Sequence, residues 1–202
     1  MSDLRRIGVY GGTFDPIHQT HLDIARAALT QAGLDRVLFV VSATPPHKRH
    51  HVQVSAEERF ALVQAALSGL GEPRFEASRI EIDRAGPSYT VDTLRALRAA
   101  HPGAEMSLII GADALVDLPR WHDPAGILSL AHLLVAPRPG FAPEALPELL
   151  HGRYTMLGFA ETPVSSTEVR AALARGEAPE SLVPAGAAAL VREKGLYGVA
   201  RS

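Results

Sequence analysis

Two histidines follow a glycine-rich turn at the start of a predicted helix. Residues 11–21 read GGTFDPIHQTH and place His18 and His21 one helical turn apart. Side chains at this spacing share one helix face, and the unpaired backbone N–H groups of a helix start attract anions. Two imidazoles there could hold the phosphates of a triphosphate and stabilise the charge that grows during transfer. The segment therefore indicates phosphate chemistry centred on histidine.

Two other interpretations of the histidine pair stay open at this stage. One is an ordinary capped helix with one buried and one exposed histidine. The other is a zinc pair, although helical zinc ligands favour a spacing of four and the chain has no cysteine. The flanking glycines favour the phosphate site, because they let the backbone approach a ligand closely.

A second anion site is predicted at residues 164–170, which read VSSTEVR. Hydroxyls and unpaired N–H groups at a helix start, together with Arg170, could bind phosphate. The alternative is a plain capping box in which Ser165 and Glu168 satisfy the first turn.

Three further segments carry weaker signals. Residues 44–51, TPPHKRHH, form a basic stretch in which Lys48 and Arg49 could meet a phosphate, although an exposed loop or a histidine metal tract gives the same pattern. Residues 86–94 lead from a turn into a helix that Ser88 or Thr90 could cap, and the backbone N–H groups there could take a carboxylate.

The third weaker signal combines an acidic strand end with the single tryptophan of the chain. Gly111 and Asp113 follow an apolar strand, where an acidic side chain can hold ribose hydroxyls. Trp121 could stack on a heteroaromatic base or could be a core residue.

Apolar runs alternate with helical patterns along the chain, which predicts βαβ units in an α/β fold. We expect a Rossmann-like, doubly wound parallel sheet flanked by helices, with a small helical portion at the C-terminal end and a single domain over residues 1–202. Ser55 with Glu58 predicts another capping box, and Gly33 and Gly195 predict helix ends. The predicted strands are 6–10, 36–41, 74–82, 107–110, 132–136 and 154–157, the predicted helices are 20–32, 57–68, 90–100, 124–130, 167–174 and 185–194, and a surface loop is predicted at 137–147.

Composition excludes several classes of protein. The chain has 202 residues, 47% of them hydrophobic, and a formal net charge of −2, so no basic field suggests nucleic acid. The lack of cysteine excludes disulfides, thiolate zinc sites and a cysteine nucleophile. No signal-peptide core or membrane-length apolar run is present, so we expect a soluble cytoplasmic protein with no membrane partner; a homo-oligomer stays open. Neither the GxGxxG fingerprint nor the P-loop occurs.

Taken in order, these segments match a known family. The chain resembles the bacterial nicotinate mononucleotide adenylyltransferases, within the nucleotidyltransferase superfamily that shares an H-x-G-H signature with class I aminoacyl-tRNA synthetases. The matching segments span nearly the whole chain: GGTFDPIHQTH at 11–21, PPHK at 45–48, PSYTVDTL at 87–94, GADALVDLPRW at 111–121, RPG at 138–140, VSSTEVR at 164–170, VP at 183–184 and GLY at 195–197.

The resemblance implies a reaction in which nicotinate mononucleotide attacks the α-phosphorus of ATP in line, giving deamido-NAD and pyrophosphate without a covalent intermediate. Mg²⁺ would bridge the triphosphate, and no all-protein metal site is implied. The implied catalytic residues are His18, His21 and Arg170; the nucleotide would contact Gly11, Gly12, Thr13, Phe14, Gly111, Asp113, Ser166 and Thr167; the mononucleotide would contact His47, Lys48, Ser88, Tyr89, Thr90 and Trp121.

One position departs from the family signature. Thr20 stands where the family usually has glycine before the second histidine. Threonine is a good N-cap, but its side chain narrows the approach of the adenine to the backbone. We expect a small shift in ATP placement or a raised KM for ATP, and no loss of activity.

Three alternatives remain beside this function. A phosphopantetheine adenylyltransferase shares the histidine turn and the serine motif but lacks the PSYT and LPxW segments. A preference for nicotinamide mononucleotide would depend on the loops around Thr90 and Trp121. A nucleotide-binding sensor without catalysis would also fit the fold, although both histidines and the SSTxxR segment are intact.

Overall fold

The computed structural model describes residues 5–43, 52–138, 146–158 and 164–201. Six strands form one sheet in the order β3-β2-β1-β4-β5-β6, which is the strand order of a doubly wound α/β fold. The strands are β1 (Arg6–Gly12), β2 (Arg36–Val41), β3 (Phe75–Ser78), β4 (Glu105–Gly111), β5 (Ala131–Ala136) and β6 (Tyr154–Met156). The pairs β1–β4, β4–β5 and β5–β6 are parallel, which confirms the predicted fold class.

Helices alternate with the strands, as the sequence predicts. They are α1 (Gln19–Gln31), α2 (Ala56–Ser68), α3 (Thr90–Ala100), α4 (Ala112–Asp117), α5 (Pro124–Leu130), α6 (Ser166–Ala174) and α7 (Ala185–Lys194). The last two, with short 3₁₀ turns at Pro179–Ser181 and Leu196–Gly198, are the predicted helical portion at the C-terminal end. In the described part of the chain, no helix has the length and apolarity needed to span a bilayer.

The inner strands β1, β2, β4 and β5 are largely apolar because a parallel sheet is covered on both faces. The short outer strands β3 and β6 are mixed in composition and less buried. Five successive residues of β2 are buried, as are four of β1. Side chains pack closely against β1 at Gly8, where an added Cβ would lie 2.7 Å from Leu34 Cδ1.

Contacts divide the chain into two compact units. The first unit comprises Met1–Gly11, Ile24–Leu38 and Tyr89–Glu161, and the second comprises Gly12–Asp23, Phe39–Ser88 and Thr162–Ser202. In the first unit, α3 packs on α5, and β4 lies in register with β1 and β5. In the second unit, α2 packs on β3 and α7, and α6 packs on the turn Leu196–Gly198.

The structure corrects three details of the sequence prediction. The strand predicted over 74–82 ends at Ser78, because the chain turns back at Arg79, whose carbonyl accepts from the Asp83 N–H at 2.9 Å. Helix α4 is absent from the prediction, since six residues are too few to show a helical period. Neither Ser88 nor Thr90 caps α3: the N-cap residue is Tyr89, and its side chain makes no capping bond.

The other predicted helix ends are confirmed. Ser55 and Glu58 form a reciprocal capping box at α2, and Ser165 and Glu168 form one at α6. Gly195 ends α7 in the left-handed conformation, with φ of +66°, and Gly33 follows α1 with φ of +59°.

Candidate active site

The turn after β1 folds an aromatic ring back over its own strand. Phe14 is buried and has φ of +47°, a conformation that is strained for a residue with a side chain. A Cβ on Gly12 would lie 3.1 Å from the nearest carbon of the Phe14 ring, so the absence of a side chain at Gly12 leaves room for that ring. Gly11 is exposed and Thr13 is half-buried beside it.

The two histidines lie face to face one turn apart. Their ring centroids are 3.8 Å apart, and the Phe14 ring meets His21 edge-on at 5.1 Å. The His18 backbone N–H donates to His21 Nδ1 at 3.2 Å. In the neutral ring, an accepting Nδ1 makes Nε2 the donor nitrogen, so His21 can donate to an anion.

Burial sets the charge of His18, which is only 4% exposed. Burial lowers its pKa from the ordinary 6.5 to about 4, against the opposing effect of the Glu168 charge. The ring is therefore neutral at pH 7. Its Nδ1 is buried without a hydrogen-bond partner in the described part of the chain.

Thr20 does not cap α1, because it is the second residue of that helix, which begins at Gln19. Its hydroxyl instead lies 3.4 Å from the Val164 carbonyl, to which it can donate. This contact is long for a hydrogen bond between oxygens.

Arg59 anchors the backbone beside the turn. It is 1% exposed, and its guanidinium donates to the carbonyls of Thr13 at 2.6 Å, Ser42 at 2.8 Å and Val54 at 3.3 Å. Burial lowers its pKa. Arg59 is not among the residues predicted from the sequence, although a signal exists: it lies in the same helical stripe as Leu62 and the other buried residues of α2.

The start of α6 contributes the second predicted anion site. Arg170 Nη1 donates to the Asp15 carbonyl at 2.7 Å, and its Nη2 donates to Thr167 Oγ1 at 3.2 Å. Ser166 Oγ donates to the Pro16 carbonyl at 3.1 Å. The second unit thus brings together the histidine pair and the SSTxxR segment. The observed capping box occupies the same helix start as the predicted anion site.

The first unit carries the strand-end residues. Gly111 precedes α4, and Asp113 in the first turn pairs with Arg138 at 3.1 Å. Trp121 is half-buried, which argues against the core interpretation. Tyr89 stacks on His122, with ring centroids 4.3 Å apart. His122 is not among the residues predicted from the sequence, because only its contact with Tyr89 distinguishes it.

Thr90 begins α3, and the next backbone groups bond locally, because the Tyr89 carbonyl accepts from the Asp92 and Thr93 N–H groups at 3.2 Å. Ser88 lies half-buried in the second unit. His47 and Lys48, with the rest of 44–51 and residues 139–145 of the predicted surface loop, lie outside the described residues. Among the described residues, no group of three or more histidines, cysteines or carboxylates could hold a metal.

Comparison with known proteins places these features in a family. A family described as cytidylyltransferase-like matches residues 9–172. The chain is 43% identical over 199 residues to the "Probable nicotinate-nucleotide adenylyltransferase" of Saccharopolyspora erythraea, covering 98% of this chain and 92% of the relative. It is 42% identical over 193 residues to the protein of the same name from Thermus thermophilus, covering 95% and 99%.

Solved structures share the fold. The Plasmodium falciparum nicotinic acid mononucleotide adenylyltransferase complexed with NaAD superposes with a TM-score of 0.80 at 16% identity, covering 96% of this chain and 98% of that one. The same enzyme complexed with APC gives a TM-score of 0.73 at 18% identity, with the same coverage. At these identities the likeness concerns the fold.

Proposed function

The chain belongs to the nicotinate-nucleotide adenylyltransferases, and from that premise we propose how its residues divide the work of adenylyl transfer. The enzyme joins ATP and nicotinate mononucleotide. A phosphate oxygen of the mononucleotide attacks the α-phosphorus, the bond from that phosphorus to the β-phosphate oxygen breaks, and deamido-NAD and pyrophosphate result. With no covalent intermediate, catalysis consists of positioning and charge stabilisation.

The observation that carries the assignment of the phosphate site is the buried Nδ1 of His18, which has no partner among the described residues. Buried polar atoms are nearly always paired, so an exception suits a ligand oxygen. We assign His18 and His21 to the phosphates that gain charge in the transition state. Ser166, Thr167 and Arg170 are assigned to the β- and γ-phosphates, with Gly11, Gly12, Thr13 and Phe14 along the nucleotide.

The remaining assignments follow the resemblance. Gly111 and Asp113 are proposed to hold the adenosine, and His47 and Lys48 to meet the acceptor phosphate. The half-buried Trp121 ring can stack on the pyridine, with Ser88, Tyr89 and Thr90 beside it. We take Mg-ATP as the substrate form, so that the ion arrives on the triphosphate.

Pyrophosphate release tests the function directly. Mg-ATP is supplied with nicotinate mononucleotide, nicotinamide mononucleotide or phosphopantetheine in parallel, and kcat/KM is compared. We expect the nicotinate form to be favoured by orders of magnitude. Equal rates with acid and amide would make the enzyme dual-specific, turnover of phosphopantetheine would reassign it, and no turnover with any acceptor would leave the sensor interpretation.

A further inference from the structure

Asp15 is a buried carboxylate that three separate parts of the second unit hold in place. It is 2% exposed. The Gln53 backbone N–H donates to its Oδ2 at 2.8 Å, and the Tyr197 hydroxyl donates to its Oδ1 at 2.9 Å. The Arg170 guanidinium lies 3.9 Å from Oδ2. Hydrogen bonds to a carboxylate are among the strong ones, so the position of Asp15 is closely fixed.

Tyr197 makes its contact from a strained backbone. It has φ of +56° in the turn Leu196–Gly198 and is 7% exposed. A tyrosine in the left-handed region is unfavourable and persists only where its surroundings fix it. Phe14, next to Asp15, is strained in the same way. Burial and the Asp15 charge raise the pKa of Tyr197, so the phenol stays a donor.

The backbone of Asp15 passes this constraint on to groups assigned to phosphate binding. Its carbonyl accepts from Arg170 at 2.7 Å, and the next carbonyl, of Pro16, accepts from Ser166 at 3.1 Å. His18 follows three residues after Asp15. A shift of Asp15 would therefore first displace Arg170, which donates directly to the Asp15 carbonyl.

We propose that Tyr197 is a positioning residue for adenylyl transfer: its hydroxyl fixes the Asp15 carboxylate and, through the Asp15 backbone, holds Arg170 where it grips the triphosphate. The inference rests on the proposed function. It concerns a residue whose hydroxyl is engaged by Asp15 and which is distant from the histidines along the chain.

The first test is Tyr197→Phe, which removes one hydroxyl and keeps the ring. We expect the KM for Mg-ATP to rise and kcat/KM for Mg-ATP to fall, by about tenfold each, because a misplaced Arg170 binds the triphosphate less well. The KM for nicotinate mononucleotide should stay within about twofold, so steady-state kinetics with each substrate varied in turn separate the two effects. Tyr154→Phe, in β6 of the first unit, is the matched control and should change neither value.

A double-mutant cycle with Asp15→Asn tests the route of the effect. If Tyr197 acts through Asp15, kcat/KM for Mg-ATP should be no lower in the double variant than in the worse single variant, because both changes disrupt the same interaction between Tyr197 and Asp15. Circular dichroism and urea unfolding establish which variants are folded. Should Tyr197→Phe fail to fold, Asp15→Asn alone must show the same selective rise in the KM for Mg-ATP.

Two results would overturn the proposal: a lower unfolding midpoint with unchanged ATP kinetics, or multiplicative losses in the cycle. In either case the wild-type enzyme would still release pyrophosphate with nicotinate mononucleotide. If the wild type itself were inactive, the proposed function would fail instead.

Discussion

At the scale of single residues, His18 couples stability to pH through its burial. The native pKa of about 4 lies below the ordinary 6.5 of an exposed imidazole. Above pH 6.5 the ring is neutral in both states and its protonation contributes nothing. As the pH falls from 6.5 towards 4, the His18 ring becomes protonated in the unfolded chain but stays neutral in the native protein. The free energy of unfolding therefore decreases.

We therefore expect His18 to cost the protein stability in acid, by about 3 kcal/mol once the pH is below 4. The measurement is urea unfolding of the wild type and of His18→Asn at a series of pH values from 8 to 4. Other groups titrate in both proteins, so the informative quantity is the difference between the two profiles. Profiles that run parallel from pH 6.5 downwards would show that His18 is not the group responsible.

His21 should matter for catalysis more than for folding. Its ring is half-buried, and Nε2 is the nitrogen placed to donate. We expect His21→Ala to lower kcat by about two to three orders of magnitude, as the loss of other charge-stabilising donors does. The control is His132→Ala, which removes an exposed imidazole bonded to Thr155 Oγ1 at 2.8 Å. Near-normal turnover in His21→Ala, with the fold intact, would refute the catalytic assignment.

At the scale of elements, the sequence predicts the long apolar strands and the capped helices well. The bounds of α3, α5 and α7 agree with the prediction. Helices α2 and α6 begin one residue earlier than predicted, and α1 both begins and ends one residue earlier. Predictions fail where a turn mimics a strand or where an element is too short. Ile80 and Ile82 form a further apolar–polar alternation, one residue out of phase with Phe75 and Ala77 of β3. The chain turns at this change of phase, where Arg79 binds Glu57 at 2.7 Å and Asp83 at 3.1 Å.

Helix α7 approaches α2 so closely that one glycine decides the contact. A Cβ on Gly186 would collide with the Ala65 carbonyl oxygen of α2. We expect Gly186→Ala to lower the free energy of unfolding by about 1–3 kcal/mol, because the backbone must move. Gly69→Ala is the control, since Gly69 has φ of −85° and no described atom lies within 4 Å of the added carbon. Equal midpoints for the two variants in urea would contradict the close approach.

At the scale of the whole molecule, the sequence suggests candidate site residues more readily than it reveals the contacts that hold them. Histidines, glycines and the SSTxxR segment stand out because their types and spacing suit phosphate. Arg59 and Tyr197 do not, because their importance lies in partners such as Thr13 and Asp15 that are distant along the chain. A buried arginine in an apolar stripe is a usable signal. Tyr197 is marked only as the last residue of the GLY segment at 195–197, which indicates no role for its side chain.

Ligand binding should stabilise the protein as a whole. A ligand that binds only the native state, at 100 times its Kd, raises the free energy of unfolding by about 2.7 kcal/mol. We expect Mg-ATP to raise the Tm in a concentration-dependent way, and the rise to be smaller in Arg170→Ala at the same concentrations. Mg²⁺ without nucleotide is the reference. An equal rise in Tm in both proteins would show that Arg170 does not contribute to binding of the triphosphate.

The hydrogen bond between Tyr197 and Asp15 spans 182 positions of sequence. A ribosome therefore delivers Asp15 and both histidines well before it delivers Tyr197. The histidine turn is therefore synthesised long before the Tyr197 hydroxyl is available to donate to the Asp15 carboxylate. A polypeptide released before Tyr197 would carry both histidines and the SSTxxR segment while lacking this constraint on Asp15.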